Sequence, residues 1–117
     1  MVSILIVDDE NDIREAVAEL LAEEGYAVLA AASGAEALKQ LREHHPAVVL
    51  LDLMMPGMNG WEFRAVQKGD PDLSRIPVIV LSALGRSSGV DAEGYLQKPF
   101  EIQQLLDAVR AQVQPAA

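Results

Sequence analysis

Short apolar runs alternate with amphipathic stretches along the chain. Val2 to Val7 and Ala47 to Leu51 are almost wholly apolar, which is typical of strands buried on both faces of a sheet. Two further runs, Tyr26 to Ala32 and Val78 to Leu81, and the short pair Tyr95-Leu96 complete five predicted strands. Strands that alternate with helical patterns predict a parallel sheet covered by helices on both faces.

The stretches between these strands carry helix signals. Asn11 is predicted to cap a first helix that Gly25 closes. Ser33 with Glu36 predicts a capping box at the start of a second helix. A third helix is predicted from about Trp61 to Lys68, and a last one from about Glu101. Its predicted buried face consists of apolar residues at helical spacing: Ile102, Leu105, Leu106, Val109 and Val113.

The connection between the last two strands departs from this alternation. Only twelve residues separate Ser82 from Tyr95, and three of them are glycines. A crossover that includes its helix needs at least about ten to twelve residues. Gly89 in the middle of the segment costs about 1 kcal/mol relative to Ala in a helix. We therefore expect the fourth helix to be absent, or reduced to a short mobile turn.

Composition narrows the range of functions. A chain of 117 residues, half of them hydrophobic, predicts a single domain over residues 1–117, with residues 114–117 as a frayed tail. A formal charge of −9 disfavours direct contact with nucleic acid, which requires clustered basic residues. There is no cysteine, no apolar stretch long enough for a bilayer and no signal-peptide pattern, so we expect a cytoplasmic protein without membrane contact.

Polar side chains of the kinds that bind metals or take part in reactions follow the predicted strands. Asp8 and Asp9 follow the first, Asp52 the third, Ser82 the fourth and Lys98 the fifth. In an open parallel sheet, ligands bind outside the carboxyl ends of the strands, so these groups are expected to converge. Oxygen ligands without His or Cys favour a hard ion such as Mg²⁺. A carboxylate beside Mg²⁺, an ammonium and a hydroxyl is equipped to attack phosphorus.

Four motifs carry a family resemblance. The segments ILIVDDE, VVLLDLMMPGMNG, VIVLSA and YLQKPF, in this order, resemble the receiver domain of two-component response regulators, the CheY-like superfamily. The resemblance covers the whole chain. It implies a flavodoxin-like, doubly wound (βα)5 fold with strand order 2-1-3-4-5.

The resemblance also implies roles for individual residues. Asp52 would be the phosphoacceptor, and Asp8 and Asp9 would hold Mg²⁺, with Mn²⁺ as a substitute, together with Asp52 and the backbone carbonyl of Met54. Ser82 would be the switch hydroxyl that turns toward the phosphoryl group, and Lys98 would pair with the phosphoryl oxygens. Two further roles concern the fifth strand and its end: Tyr95 would be a switch aromatic, and Lys98-Pro99 a cis peptide.

The implied function is that of a phosphorelay component. A sensor histidine kinase or phosphotransfer protein would donate the phosphoryl group from a phosphohistidine, and a downstream protein would respond. The protein would not act as an enzyme on other molecules. It would catalyse only its own phosphorylation and dephosphorylation.

Three other expectations accompany this one. A pseudo-receiver that binds partners without phosphate is the alternative, favoured by the missing helix. A haloacid-dehalogenase-type phosphatase is disfavoured, because that family needs an Asp where Met54 stands. Met54, Met55 and Met58 are expected to fill gaps in the core.

Overall fold

A five-stranded parallel sheet forms the centre of the molecule, in a computed structural model that describes residues 2–113. Its strand order is β2-β1-β3-β4-β5, as predicted. The strands are β1 (Ser3–Val7), β2 (Ala27–Ala31), β3 (Val48–Asp52), β4 (Val78–Ser82) and β5 (Gly94–Gln97). The helices are α1 (Asn11–Glu23), α2 (Gly34–His44), α3 (Gly60–Lys68) and α4 (Ile102–Val113). The frayed tail predicted at 114–117 lies outside the described residues.

The sheet separates two hydrophobic core layers. One layer lies under α2 and α3 and contains Leu41 and Phe63, both fully buried. The other lies under α1 and α4 and contains Leu21 and Val109. Strand β3 is buried along its whole length because it is the central strand and helices cover both of its faces.

The register of the strands determines which polar residues meet at the carboxyl edge. Val7 pairs with Leu51, so Asp8 and Asp52, the next residues, end neighbouring strands at the same level. Ser82 is the last residue of β4 and pairs with Gln97, directly before Lys98. The predicted convergence of strand ends therefore follows from continuous parallel pairing without a bulge.

The start of α1 differs from the prediction. Asn11 is the first helical residue rather than the cap, and Glu10 occupies the cap position without a side-chain capping bond. Oδ1 of Asp8 accepts a hydrogen bond from the Glu10 amide at 2.9 Å. This contact turns the chain before Asn11, so the cap position lies one residue earlier than predicted. The side chain of Asn11 instead accepts a hydrogen bond from Arg14.

The predicted helix end at Gly25 is confirmed, and the capping box is formed only in part. Gly25 has φ +92°, and its amide donates to the carbonyl of Ala22. Ser33 Oγ accepts from the Glu36 amide, but the Glu36 carboxylate accepts from Ala32 instead of from the cap residue. A complete capping box occurs at α3, between Asn59 and Glu62, and was not predicted.

One end of the predicted apolar face of α4 is not buried. Leu105, Leu106 and Val109 lie in the core, whereas Ile102 is 61% exposed and Val113 is only partly buried. Ile102 is the first residue of α4 and lies outside the core layer to which Leu105, Leu106 and Val109 belong, so spacing alone overestimated its burial.

The connection between β4 and β5, residues 83–93, contains no α-helix, as predicted. A 3₁₀ turn at Gly85–Ser88 is its only regular structure. Val90 is buried beneath it, and Trp61 of α3 donates a hydrogen bond to the carbonyl of Ser88. This segment takes the place of a fourth covering helix above β4 and β5.

Candidate functional site

Three carboxylates meet at the carboxyl edge of the sheet. Asp8, Asp9 and Asp52 each offer an oxygen within 4.8 Å of the others. Asp8 is fully buried and Asp52 nearly so, whereas Asp9 faces solvent. Negative charges packed this closely and this deeply repel one another unless a cation or a proton compensates them.

Lys98 supplies one compensating charge. Its Nζ lies 3.5 Å from Oδ1 of Asp52 and 3.7 Å from Oδ2 of Asp8. Its backbone amide donates to the carbonyl of Ser82, which fixes the strand end from which the side chain extends. The Lys98-Pro99 peptide is cis. A single ammonium thus bridges two of the three carboxylates.

One carboxylate oxygen of Asp8, Oδ2, accepts no hydrogen bond from the described part of the chain. Its Oδ1 accepts from the Glu10 amide, and its carbonyl accepts from the Arg14 guanidinium at 2.8 Å. Within residues 2–113, no group donates a hydrogen bond to Oδ2 of Asp8. A buried polar atom without a partner is costly, and a bound cation would satisfy it. All side-chain donors here are carboxylates, so the residues fit a hard divalent ion.

Burial raises the pKa of Asp52 above its ordinary value, and the negative charge of Asp8 raises this pKa further. The ammonium of Lys98 and a hydrogen bond from the Met54 amide to Oδ1 act in the opposite direction. Burial is the largest of these effects. The ionised Asp52 carboxylate is consequently a poorly solvated, reactive anion.

An open pocket of about 360 Å³ lies in front of Asp52. The other residues that line it are Glu10, Met54, Ser82, Ala83, Leu84 and Lys98. Met54 is 70% exposed and Leu84 50% exposed at its mouth. The expectation that Met54 fills a core gap was therefore wrong, because the chain leaves the sheet directly after Asp52. Met55 and Met58 do pack on the core.

The loop after β3 is held against the strand by Gly60. The amide of Gly60 donates to the carbonyl of Leu53 at 3.0 Å. A Cβ atom at this position would lie 2.5 Å from Leu53 Cδ2 and 2.7 Å from Leu53 Cα. Only glycine permits this approach, which sets the path of the Met54 backbone beside Asp52.

Tyr95 lies apart from the pocket. Its hydroxyl donates to the carbonyl of Val90 and accepts from the Ala92 amide, on the α3 side of the sheet. The structure thus brings together Asp8, Asp9, Asp52, Ser82 and Lys98, while Tyr95 points into the connection between β4 and β5.

Two residues near the site were not predicted. Glu10 lines the pocket, and its only sequence signal is its place directly after the Asp8-Asp9 pair. Arg14 donates to the Asp8 carbonyl from one turn into α1, a contact that depends on where the helix starts.

The family model described as response regulator receiver domain matches residues 4–110 of the chain. The chain belongs to this family. The receiver domain is 31% identical to the chemotaxis protein CheY4 of Vibrio cholerae, with a TM-score of 0.87 over 96% of this chain and 98% of that one. It is 32% identical to the signal receiver domain of a histidine kinase from Syntrophus aciditrophicus, with a TM-score of 0.90 over 97% and 90% of the two chains.

Curated relatives agree with this family. The DNA-binding response regulator MtrA of Mycobacterium tuberculosis strain H37Rv is 38% identical in an alignment 118 positions long that covers 94% of this chain and 50% of MtrA. Protein PilG of Pseudomonas aeruginosa is 35% identical over 94% of this chain and 86% of PilG. The receiver domain spans about half the length of the MtrA relatives it matches. Among residues 2–113, no helix has the length and apolar character of a membrane span.

Proposed function

We propose that this receiver domain accepts a phosphoryl group on Asp52 from a phosphohistidine of a sensor kinase or phosphotransfer protein, and that the modification changes its binding to a downstream protein. The observation that carries the proposal is the position of Lys98 between Asp52 and Oδ2 of Asp8, a buried oxygen that accepts no hydrogen bond from residues 2–113. A site that only stabilised the fold would have no need of such a partly uncompensated cluster.

The two oxygens of Asp52 have different surroundings, which suggests which one reacts. Both hydrogen bonds that the carboxylate accepts from described residues, from the Met54 amide and from Lys98, go to Oδ1. We assign the attack on phosphorus to Oδ2. The new bond joins Oδ2 to phosphorus, the P–N bond of the phosphohistidine breaks, and its electron pair stays on the imidazole nitrogen. Lys98 stabilises the charge on the phosphoryl oxygens, and the Ser82 hydroxyl donates a hydrogen bond to one of them.

A divalent ion belongs to this proposal. Asp8, Asp9, Asp52 and the Met54 carbonyl would hold Mg²⁺, or Mn²⁺ in its place, which would neutralise phosphoryl charge. Asp8 in particular offers an oxygen that has no donor among residues 2–113.

The catalysis proposed for this protein concerns only its own modification. We propose that it catalyses its own phosphorylation and dephosphorylation and acts on no separate substrate. The charge of −9 on these 117 residues disfavours direct contact with nucleic acid. Without cysteine, the fold does not depend on an oxidising compartment, and we propose a cytoplasmic location.

A pseudo-receiver that binds a partner without phosphate is the second candidate function. The observation that favours it is the connection between β4 and β5, where a 3₁₀ turn replaces a helix on a surface that receivers commonly use for output. The pocket itself favours the phosphoacceptor, because its three carboxylates and Lys98 are complete.

Intact mass spectrometry tests the proposal directly. The protein is incubated with Mg²⁺ and acetyl phosphate, and the expected result is the gain of one phosphoryl group that does not occur when EDTA is present throughout the incubation. Asp52→Asn should gain none. Asp12→Asn is the matched control, because Asp12 is an exposed carboxylate in the first turn of α1 and should leave the gain unchanged. No gain in the unmodified protein would refute the phosphoacceptor proposal and favour the pseudo-receiver.

A further inference from the structure

The turn between β1 and α1, residues 8–11, carries two of the three carboxylates of the site. Asp8 is fully buried, and its amide donates to the carbonyl of Ala31 at 3.1 Å, so the neighbouring strand β2 holds it in place. Asp9 faces solvent, so the backbone of the turn determines where its carboxylate lies. The geometry of the carboxylate set therefore depends on how rigidly the chain passes from the strand to the helix.

The start of α1 lacks the side-chain contact that fixes the start of the other helices on this side of the site. Glu10 occupies the cap position without a side-chain hydrogen bond to the helix. Ser33 and Asn59 accept such a bond at the starts of α2 and α3. The path of residues 8–11 therefore depends on contacts from further along the chain.

Arg14 joins the two ends of this turn. Its Nη1 donates to the carbonyl of Asp8 at 2.8 Å, and its Nη2 donates to Oδ1 of Asn11. The planar guanidinium presents these donors in a fixed fork, so the two contacts together define the distance from the strand end to the first helical residue. Arg14 is half-buried, which limits the competition of water for these hydrogen bonds.

The helix itself gives no reason for an arginine at this position. The N-terminus of a helix carries a partial positive charge, which disfavours a cation within its first turn. Arg14 is the fourth residue of α1. Both of its acceptors lie in the turn, and neither is an oxygen assigned to the ion. These contacts indicate that the side chain serves the geometry of the turn.

We propose that Arg14 is a positioning residue for the divalent ion: by holding the Asp8 carbonyl to Asn11, it keeps the carboxylates of Asp8 and Asp9 at the separation that the ion requires. Arg14 itself contacts neither the ion nor the phosphoryl group. This inference deepens the proposed function, because it rests on the binding of Mg²⁺ by the carboxylates, whereas the link across the turn rests on the contacts above.

The charge of Arg14 and its hydrogen bonds act on ion binding in opposite directions. A positive charge near three carboxylates weakens their attraction for a cation, so removing this charge alone would tighten the binding of Mg²⁺. Losing the two hydrogen bonds frees the turn, and the loss of a group that orients metal ligands typically weakens metal binding by about 10–100-fold. The direction of the change therefore distinguishes positioning from electrostatics.

Isothermal titration calorimetry with MgCl₂ alone, without a phosphodonor, measures this direction. For Arg14→Met we expect a dissociation constant of Mg²⁺ that is roughly tenfold higher, because the ligands themselves remain but are no longer held in place. Arg14→Lys keeps the charge and lacks the planar fork, so it should also weaken binding, by a smaller factor. Arg42→Met is the matched control, because Arg42 is exposed in the last turn of α2 and should leave the affinity unchanged.

A second variant tests the link from its other end. Asn11→Ala removes one acceptor of the Arg14 guanidinium and changes no charge. It should weaken the binding of Mg²⁺ in the same direction as Arg14→Met. The double variant should bind Mg²⁺ no more weakly than Arg14→Met alone, because both changes break the same link. Asn11→Ala also decides the question if circular dichroism shows that Arg14→Met does not fold.

The outcomes separate this inference from the proposed function. Unchanged or tighter binding of Mg²⁺ in Arg14→Met would overturn the positioning role, even if the variant unfolds at a lower urea concentration, because Arg14 would then serve the fold alone. An unmodified protein that binds no Mg²⁺ would overturn it as well. If Mg²⁺ binds and its affinity depends on Arg14 as expected, but acetyl phosphate adds no phosphoryl group, the inference stands and the phosphoacceptor proposal fails.

Discussion

The guanidinium of Arg64 forms a salt bridge with Glu93 at 3.0 Å, joining α3 to the residue that precedes β5. Arg64 is nearly inaccessible to solvent, and its Nη1 also donates to Gln67 at 2.9 Å. Oε1 of Glu93 accepts a further hydrogen bond from the Val78 amide at the start of β4. This buried polar cluster lies where a fourth helix would otherwise cover the sheet, and it holds the short connection in place.

Replacing Arg64 by Met tests the contribution of this cluster. Breaking a fully buried ion pair costs about 3–5 kcal/mol, because the remaining charge is left uncompensated. The Glu93 side chain is 37% exposed, so water can solvate part of its charge when Arg64 is replaced. We therefore expect a smaller loss, of about 2 kcal/mol, in the free energy of unfolding. Urea denaturation measures it.

Lys68→Met provides the matched control for Arg64→Met. Lys68 lies one turn further along α3 and forms an exposed pair with Asp91 at 3.8 Å. Such pairs contribute about 0–1 kcal/mol, so this variant should unfold almost like the unmodified protein. Equal losses of unfolding free energy in the two variants would show that the buried pair contributes no more to stability than the exposed pair does.

Gly60→Ala is expected to damage the site through the backbone. The added methyl group would lie 2.5 Å from Leu53 Cδ2, and overpacking of this kind costs about 1–3 kcal/mol. The loop that carries the Met54 carbonyl must shift, so we also expect a smaller increase in stability on addition of Mg²⁺ than in the unmodified protein. Urea denaturation with and without Mg²⁺ measures both effects.

Gly69 offers a comparison at the other end of α3. It has φ −77°, and a Cβ there would meet nothing closer than 3.5 Å. Gly69→Ala should therefore be neutral or stabilising by about 0.4–1 kcal/mol, with an unchanged Mg²⁺ response. A Gly60→Ala protein that behaves in the same way would show that the loop can move without affecting the site.

The fold was predictable because its signals are local and redundant. The apolar runs of β1 and β3 are typical of strands covered on both faces of a parallel sheet, and the glycines of the connection disfavour a helix there. The convergence of Asp8, Asp52 and Lys98 follows from the same pattern, since each directly follows or ends a strand.

The features that were not predicted depend on tertiary partners. Asn11 is not the cap because the Asp8 side chain turns the chain before it, and Ile102, at the start of α4, is not covered by the core. The Arg64–Glu93 pair joins residues far apart in the sequence, each of which looks like an ordinary surface charge on its own. Spacing rules contain no information about such contacts.

Leu84→Ala is expected to shorten the lifetime of the phosphoryl group. Leu84 lines the pocket together with Met54, and we expect its side chain to hinder the approach of water to the phosphoryl group proposed on Asp52. Removing it should lower the barrier by about 0.7 kcal/mol, which is roughly a threefold faster loss of phosphate. The measurement is the decay of the phosphorylated mass after the donor is removed. Val66→Ala, an exposed apolar residue of α3, should leave the rate unchanged, and equal rates in all three proteins would exclude the shielding.

Asp52→Asn is expected to stabilise the protein at neutral pH in the absence of divalent ions. Burial and the charge of Asp8 raise the pKa of Asp52, so the folded state binds its proton more tightly than the unfolded state does. Between the ordinary carboxyl pKa and the raised one, the unfolded state therefore holds fewer protons, and stability falls as pH rises. Asparagine at this position stays neutral, so it causes no such loss of stability as the pH rises.

The pH dependence of that difference is the sharper measurement. The two proteins should be equally stable below the ordinary carboxyl pKa, diverge through the window up to the raised pKa of Asp52, and keep a constant gap above it. Mg²⁺ should reverse the order at neutral pH, because the ion compensates a charge that asparagine lacks. Asp12→Asn, which removes an exposed carboxylate, should show neither the gap nor the reversal. If Asp52→Asn proves less stable at neutral pH without Mg²⁺, the attraction between Asp52 and Lys98 outweighs both burial and the repulsion from Asp8.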